Sequence, residues 1–155
     1  MCLEEQLVQL LIDNHMSITT VESCTGGLIA STIINVSGAS EVFNEGYITY
    51  ANSAKERLAG VSHDTLEKYG AVSEQTAREM ACGAARAAGA DVALSSTGIA
   101  GPGGGTKEKP VGLVYIGCYV RGDVKVWRCE FKGNREEVRK QTVKKAIECA
   151  IERIA

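Results

Sequence analysis

The chain has 155 residues, 45% of them hydrophobic, and a formal net charge of −2. This length and composition fit one domain with its own apolar core. Charges of both signs are mixed along the chain, which argues against a nucleic-acid partner, and no apolar run is long enough to predict a membrane span. The acidic start, residues 1–5, lacks the basic region of a secretory signal, so we expect a cytoplasmic protein.

The elements predicted for the first half of the chain alternate between helix and strand. They are an amphipathic helix over 3–14, a strand over 17–22, a helix over 28–35, a strand within 46–50, a helix over 53–59 and a short helix over 65–69. Asn52 is a suitable N-cap for the helix over 53–59, and Gly60 is expected to end it.

The second half continues the pattern. Its predicted elements are a helix over 73–88, a strand over 91–97, a glycine-rich segment over 98–105, strands over 111–119 and 125–131, and a closing helix over 136–154. A hairpin turn at Gly122-Asp123 predicts that the two late strands are antiparallel. The fold class expected is therefore α/β, a single-domain α/β/α sandwich with a mixed sheet over residues 1–155. The small-residue face of the helix over 73–88 suits either core packing or a homo-oligomer interface.

Cysteine and histidine usage limits the chemistry. Six cysteines stand at positions 2, 24, 82, 118, 129 and 149, with no CxxC pair. We predict that the protein uses no metal and no cofactor. We also predict that the cysteines are free thiols, with Cys82, Cys118 and Cys149 in the core. His15 and His63 are the only histidines, and both are expected to be structural.

The stretch from Thr20 to Gly27 is the first candidate site. A β-branched strand turns there into an apolar segment, which would place the turn at the carboxyl edge of a sheet, where ligands of α/β proteins bind. Ser23, Cys24 and Thr25 are three adjacent side chains that could act as nucleophile. The backbone N–H groups of Thr25 to Gly27 could hold an oxyanion, although an ordinary strand-to-helix turn would share this pattern.

The glycine-rich segment over 98–105 is the second candidate site because it directly follows a predicted strand. Glycines let backbone N–H groups approach an anion. The order of a Walker loop is absent, since Lys107 follows Gly105-Thr106, and Pro102 and Pro110 make a following helix improbable. We expect this segment and the turn at Ser23 to share one ligand site, with a flexible surface loop as the alternative.

Tyr50 and Lys55 form the third candidate site. With Asn52 as N-cap, Lys55 would be the third residue of its helix and would lean back toward Tyr50. The positive end of the helix dipole would lower the pKa of this lysine, as a lysine base requires.

Long motifs around these three sites resemble the CinA C-terminal domain family. They are Val21-Glu22-Ser23-Cys24-Thr25-Gly26-Gly27, the segment from Gly46 to Lys55, Gly70-Ala71-Val72-Ser73-Glu74, the segment from Gly98 to Gly104, and Lys109-Pro110-Val111-Gly112. The resemblance covers nearly the whole chain. The known enzymes of this family are nicotinamide mononucleotide amidases. The resemblance therefore implies hydrolysis of that small-molecule nucleotide to nicotinic acid mononucleotide and ammonia.

By this resemblance Ser23 matches the nucleophile, and Tyr50 and Lys55 match its activating partners. The residues expected to bind substrate are Glu22, Thr25, Gly26 and Gly27 in the turn, Thr97, Gly98 and Gly101 near the glycine-rich segment, and Arg135 and Arg139 on the last helix. Independently of the resemblance, the position of Glu22 beside Ser23 suggests that it balances the pyridinium charge, and either arginine could hold the phosphate. Cys24 remains the rival nucleophile.

Two other functions fit parts of the sequence. A non-catalytic nucleotide-binding or scaffolding module could keep the same fold and loop. A phosphoryl-transfer enzyme is disfavoured, because neither the Walker order nor an evident magnesium-binding acid pair accompanies the glycine-rich segment.

Overall fold

The computed structural model describes all residues 1–155 and contains six α-helices and five strands. In chain order these are α1 (Leu3–Asp13), β1 (Ile18–Glu22), α2 (Leu28–Ile34), β2 (Tyr47–Ile48), α3 (Asn52–Ala59), α4 (His63–Tyr69), α5 (Glu74–Ala88), β3 (Val92–Gly98), β4 (Leu113–Val120), β5 (Asp123–Glu130) and α6 (Arg135–Ile154), with a short 3₁₀ helix at Ala39–Glu41. The succession of helices and strands predicted from the sequence is confirmed. None of the helices combines the length and the apolarity needed to cross a bilayer.

The five strands form one mixed sheet in the order β2-β1-β3-β4-β5. The strands β2, β1 and β3 are parallel, while β4 and β5 run antiparallel to their neighbours. In this register Glu22 of β1 lies beside Ser96 of β3, so both strands end at the same edge of the sheet. Ser23 and the glycine-rich segment follow directly at that edge, where open α/β sheets bind ligands.

Helices cover both faces of the sheet, which confirms the predicted α/β/α sandwich. The main core packs α1, α2 and α6 against one face through residues such as Leu7, Ile29 and Ile147, all essentially buried. On the other face α5 packs against β1, β3, β4 and β5, and α3 and α4 pack against α5. Cys118 and Cys149 are buried as expected, whereas Cys82 is only partly buried.

Three local predictions need correction. The strand expected within 46–50 is only Tyr47–Ile48, because it pairs at the sheet edge with just the last two residues of β1. The hairpin turn is Arg121-Gly122, one residue earlier than predicted, and both residues have positive φ, as a two-residue hairpin turn requires. Asn52 is the first helical residue of α3, and the N-cap is Ala51.

Gly83 lets α5 approach the end of α3. A Cβ atom at Gly83 would lie 1.5 Å from the carbonyl oxygen of Ala59, the last residue of α3. Only hydrogen fits there, so this glycine sets how closely the helix that carries Lys55 packs against the rest of the domain.

We predict that Gly83→Ala lowers the free energy of unfolding by about 1–3 kcal/mol or more, because the methyl group forces α3 and α5 apart. Helix propensity alone predicts the opposite, a gain of about 1 kcal/mol. Urea unfolding monitored by circular dichroism distinguishes the two. The exposed Ala87→Gly on the same helix measures propensity without this contact, and an unchanged or raised stability of Gly83→Ala would contradict the close approach.

Candidate active site

A cavity of about 320 Å³ opens at the carboxyl edge of β1 and β3. Its lining residues come from the nucleophile turn, which we define as Ser23 to Gly27, and from the segments around Tyr50, Val72 and the glycine-rich loop. They are Ser23, Cys24, Tyr50, Lys55, Ala71, Val72, Thr97, Gly98, Ile99, Ala100, Gly101, Gly103, Gly104 and Arg135. The structure therefore brings the three candidate sites of the sequence around one cavity.

The centre of the cavity wall is a direct contact between a lysine and a serine. The Nζ atom of Lys55 lies 3.1 Å from the Oγ atom of Ser23, although the residues are 32 positions apart. The amine has two further hydrogen-bond partners, the backbone carbonyl oxygens of Thr49 at 2.9 Å and Tyr50 at 3.3 Å. No histidine lies in this wall, so Lys55 is the basic group next to the serine.

Burial sets the proton affinity of this lysine. Lys55 is only 1% exposed, and burial lowers the pKa of its amine because the charged form loses its hydration. Cys24 makes a smaller contribution that raises this pKa. The prediction from the sequence explained the lowered pKa by the helix dipole, with Lys55 as the third helical residue. In the structure Lys55 is the fourth residue of α3, and desolvation is the main cause.

Tyr50 lines the mouth of the cavity, and no phenol lies between Lys55 and Ser23. Its side chain is 65% exposed, and its hydroxyl accepts a hydrogen bond from Arg135 at 3.2 Å. Arg135 also donates to the carbonyl oxygen of Gly101 at 3.0 Å. Lys55 contacts Tyr50 only through the backbone carbonyl, so the phenol is not part of the lysine–serine contact.

Glu22 faces away from the cavity, contrary to the expectation that it binds substrate. Its fully buried carboxylate accepts hydrogen bonds from the backbone N–H groups of Ile29 and Ala30 at 2.8 and 3.0 Å. It also accepts from the hydroxyl of Thr25 at 2.6 Å. These contacts place a negative charge under the N-terminus of α2, where it satisfies unpaired N–H groups and complements the helix dipole.

Thr25 and Ser96 continue the buried network under the nucleophile turn. The two hydroxyl oxygens lie 2.7 Å apart, and because Thr25 donates its proton to Glu22, Ser96 is the donor to Thr25. Sequence reasoning assigned Thr25 to substrate and missed Ser96. The available signal was its place in a strand predicted to end at the same edge as Ser23.

Cys24 lines the cavity beside Ser23 but is a poor nucleophile there. Burial raises the pKa of its thiol to about 11. A thiol reacts through its thiolate, so this environment holds Cys24 in its unreactive form near neutral pH. The geometry therefore favours Ser23 over Cys24.

Some of the remaining predicted site residues line the cavity and others lie outside it. Thr97 and Gly98 line the cavity, and the Thr97 hydroxyl is bound to the carbonyl oxygen of Ala71 at 2.8 Å. Gly26 and Gly27 have φ of 57° and 98°, which allows the sharp reversal into α2, but they do not line the cavity.

Arg139 likewise lies outside the cavity wall. Its guanidinium donates to the backbone carbonyl oxygens of Cys24 at 3.0 Å and Thr25 at 3.1 Å. No group of three or more His, Cys, Asp or Glu side chains lies close enough together to hold a metal ion.

Sequence comparisons place this chain in a known family. The family model described as the CinA C-terminal domain matches residues 1–154. A Clostridium novyi (strain NT) protein named as competence-damage inducible is 57% identical over 146 residues, which are 94% of this chain and 35% of that protein. A CinA-like protein of Kosmotoga olearia is 54% identical over 146 residues, again 94% of this chain and 35% of the relative. The chain thus spans about a third of the length of these curated relatives.

Solved structures share the fold over nearly the whole chain. The crystal structure of a competence/damage inducible protein from Agrobacterium tumefaciens has a TM-score of 0.91 at 42% identity, covering 98% of this chain and 96% of that one. A CinA superfamily protein from Klebsiella pneumoniae has a TM-score of 0.95 at 34% identity, covering 98% and 95%.

We predict that Glu22→Gln lowers the free energy of unfolding by about 2 kcal/mol, because the amide replaces a charged acceptor and turns an NH₂ group toward an N–H donor of α2. Urea unfolding measures this loss. The matched control is Glu148→Gln on an exposed position of α6, which should leave stability unchanged. A Glu22→Gln protein as stable as wild type would contradict the capping role.

Proposed function

The chain belongs to the CinA C-terminal domain family, and from that premise we propose that it is a nicotinamide mononucleotide amidohydrolase. It would convert nicotinamide mononucleotide and water to nicotinic acid mononucleotide and ammonia, with Ser23 as nucleophile and Lys55 as base. The observation that carries the proposal is the 3.1 Å contact between the buried Lys55 amine and the Ser23 hydroxyl in a cavity wall. Serine–lysine pairs are a recurrent variant of serine–histidine catalysis.

The hydrogen bonds of Lys55 suit a base. A neutral amine has two N–H donors and one lone pair. The carbonyl oxygens of Thr49 and Tyr50 can only accept, so they take the two N–H groups. The lone pair then faces the Ser23 hydroxyl and can receive its proton.

The first half-reaction would form an acyl-enzyme. The Ser23 oxygen attacks the carboxamide carbon while its proton passes to Lys55, and the carbonyl oxygen becomes a tetrahedral oxyanion. Backbone N–H groups near Ser23 would stabilise that charge. The intermediate collapses as the C–N bond breaks, and Lys55 returns the proton to the departing nitrogen, which leaves as ammonia.

The second half-reaction would return the enzyme to its starting state. Water attacks the ester carbon and passes one proton to Lys55. The ester bond to Ser23 breaks, Lys55 reprotonates the serine oxygen, and the free carboxylic acid ionises as it leaves. Lys55 therefore acts alternately as base and acid, which requires an amine whose pKa lies below the usual lysine range.

The other side of the cavity suits the nucleotide part of the substrate. The backbone of Gly101, Gly103 and Gly104 lines it, and glycine backbone can approach a phosphate closely. Arg135 lines the same wall and supplies a positive charge for the phosphate. Since Glu22 is buried under α2, we do not assign it a role in balancing the pyridinium cation.

We predict that the purified protein releases ammonia from nicotinamide mononucleotide, and that Ser23→Ala abolishes release because no nucleophile remains. A coupled ammonia assay with chromatographic detection of nicotinic acid mononucleotide measures both products. Cys24→Ala is the matched control at the adjacent position and should retain most of the activity. Ammonia release that survives Ser23→Ala but not Cys24→Ala would reverse the assignment, and the absence of release from wild type would reject the substrate.

We also predict a loss of activity at acid pH. Below its lowered pKa, Lys55 binds a proton and cannot accept one from Ser23, so kcat/KM should fall as pH decreases through that pKa. The profile of kcat/KM against pH measures this limb. Lys55→Arg should be inactive throughout, because arginine does not lose its proton in proteins. The exposed Lys144→Arg is the control, and a flat wild-type profile down to about pH 5, far below an ordinary lysine pKa, argues against an amine base.

A further inference from the structure

We propose that Arg139 on α6 is a positioning residue for Ser23, and that it acts by fixing the carbonyl groups of the nucleophile turn. The inference rests on the proposed serine–lysine chemistry but not on the identity of the amide substrate. Arg139 stands 115 and 114 residues from Cys24 and Thr25, whose carbonyl oxygens it binds.

The contact is specific in geometry. The Nε atom of Arg139 donates to the Cys24 oxygen at 3.0 Å and one terminal nitrogen donates to the Thr25 oxygen at 3.1 Å. A guanidinium presents its donors in a rigid planar fork, so two bonds to successive carbonyls fix both peptide planes at once. The Cys24 oxygen accepts no backbone hydrogen bond, whereas the Thr25 oxygen also accepts one from Leu28.

Fixing these carbonyls also fixes the N–H groups of the same peptides. In a trans peptide the N–H points opposite to the C=O, so binding the Cys24 oxygen turns the Thr25 N–H away from Arg139. The Thr25 N–H has no hydrogen-bond acceptor within the protein, while the Gly26 N–H donates to the Ser23 carbonyl at 3.2 Å. Thr25 is fully buried and does not line the cavity, so Arg139 acts on Ser23 by fixing the backbone of the turn and not by presenting this N–H to the substrate.

The turn needs an external support of this kind. Gly26 and Gly27 both have positive φ, and glycine has the widest backbone freedom of any residue. Without Arg139, the peptide plane between Cys24 and Thr25 keeps no hydrogen bond, because neither its C=O nor its N–H has another partner. Buried Glu22 holds the other side of the turn through Thr25, Ile29 and Ala30, so loss of Arg139 should disturb the turn without unfolding α2.

This role differs from the phosphate contact expected from the sequence. Arg139 is absent from the cavity lining, and its donors are directed at backbone carbonyls. Loss of a residue that binds the substrate phosphate would raise KM, whereas loss of a positioning residue mainly lowers kcat.

The test measures the reactivity of Ser23 itself. Phenylmethylsulfonyl fluoride is the probe: the serine oxygen bonds to sulfur, the S–F bond breaks, fluoride leaves, and the serine proton passes to Lys55. Peptide mass spectrometry gives the rate of modification at Ser23 for wild type, Arg139→Met and Arg139→Lys, alongside kcat and KM for nicotinamide mononucleotide. The matched control is Arg153→Met, because Arg153 on the same helix also binds two backbone carbonyls, those of Cys118 and Asp123, away from the cavity.

For Arg139→Met we expect the modification rate and kcat to fall about 100-fold, with KM within about twofold of wild type, because the reacting groups are misplaced rather than the substrate lost. Arg139→Lys should recover part of the rate through one of the two bonds. The pH midpoint of modification should not move, since the contacts of Lys55 are unchanged. Arg153→Met should react like wild type even if its thermal midpoint falls.

Two results would overturn the proposal. One is an Arg139→Met protein whose Ser23 reacts at the wild-type rate. The other is a raised KM with unchanged kcat, which would assign Arg139 to the substrate instead. If wild type reacts at Ser23 with the acid limb expected from Lys55 yet releases no ammonia, the substrate is wrong, and the modification rates alone decide the role of Arg139.

Discussion

The site depends on one buried amine that has three polar neighbours and almost no exposure to solvent. Two of the neighbours are backbone carbonyls and the third is the hydroxyl of Ser23. In the charged state all three accept from the ammonium, and in the neutral state the serine becomes the donor to the amine. The exchange of one proton between Lys55 and Ser23 therefore needs no movement of either side chain, which is a preorganised geometry for proton transfer.

Burying this lysine opposes folding when the amine is charged. Because the folded pKa of Lys55 is lowered, the unfolded chain binds more protons, and this group adds stability as pH rises from the folded pKa toward the unfolded value. The surrounding packing has to tolerate the penalty at lower pH. Gly83 allows the close contact between α5 and the end of α3, and the buried carboxylate of Glu22 accepts hydrogen bonds from N–H groups at the start of α2. Glu22 lies outside the cavity wall while the charged guanidinium of Arg135 lines it, a charge distribution that suits the anionic substrate proposed above.

The sequence predicted the fold and the edge of the sheet better than it predicted the roles of single side chains. Alternating elements with glycines after two strands were enough to place Ser23 and Gly98 at one edge. Local pattern could not show that β2 pairs over only two residues, because strand length at an edge depends on the partner strand. Nor could it orient Glu22, whose partners Ile29 and Ala30 are defined only once α2 folds back over the strand. The contact of Ser96 with Thr25 could not be predicted from local pattern, because the two residues are 71 positions apart.

The closing helix, α6, contacts parts of the site that are far apart in the sequence. Arg135 and Arg139 stand one turn apart on α6, a spacing that puts both side chains on one face of the helix. Arg135 holds Gly101 of the glycine-rich loop and the hydroxyl of Tyr50, while Arg139 holds the nucleophile turn. The inner face of α6 is part of the main core, so a helix anchored in the core contacts both the glycine-rich segment and the nucleophile turn. The proposed role of Arg139 therefore makes the geometry at Ser23 depend on the packing of α6 against the main core.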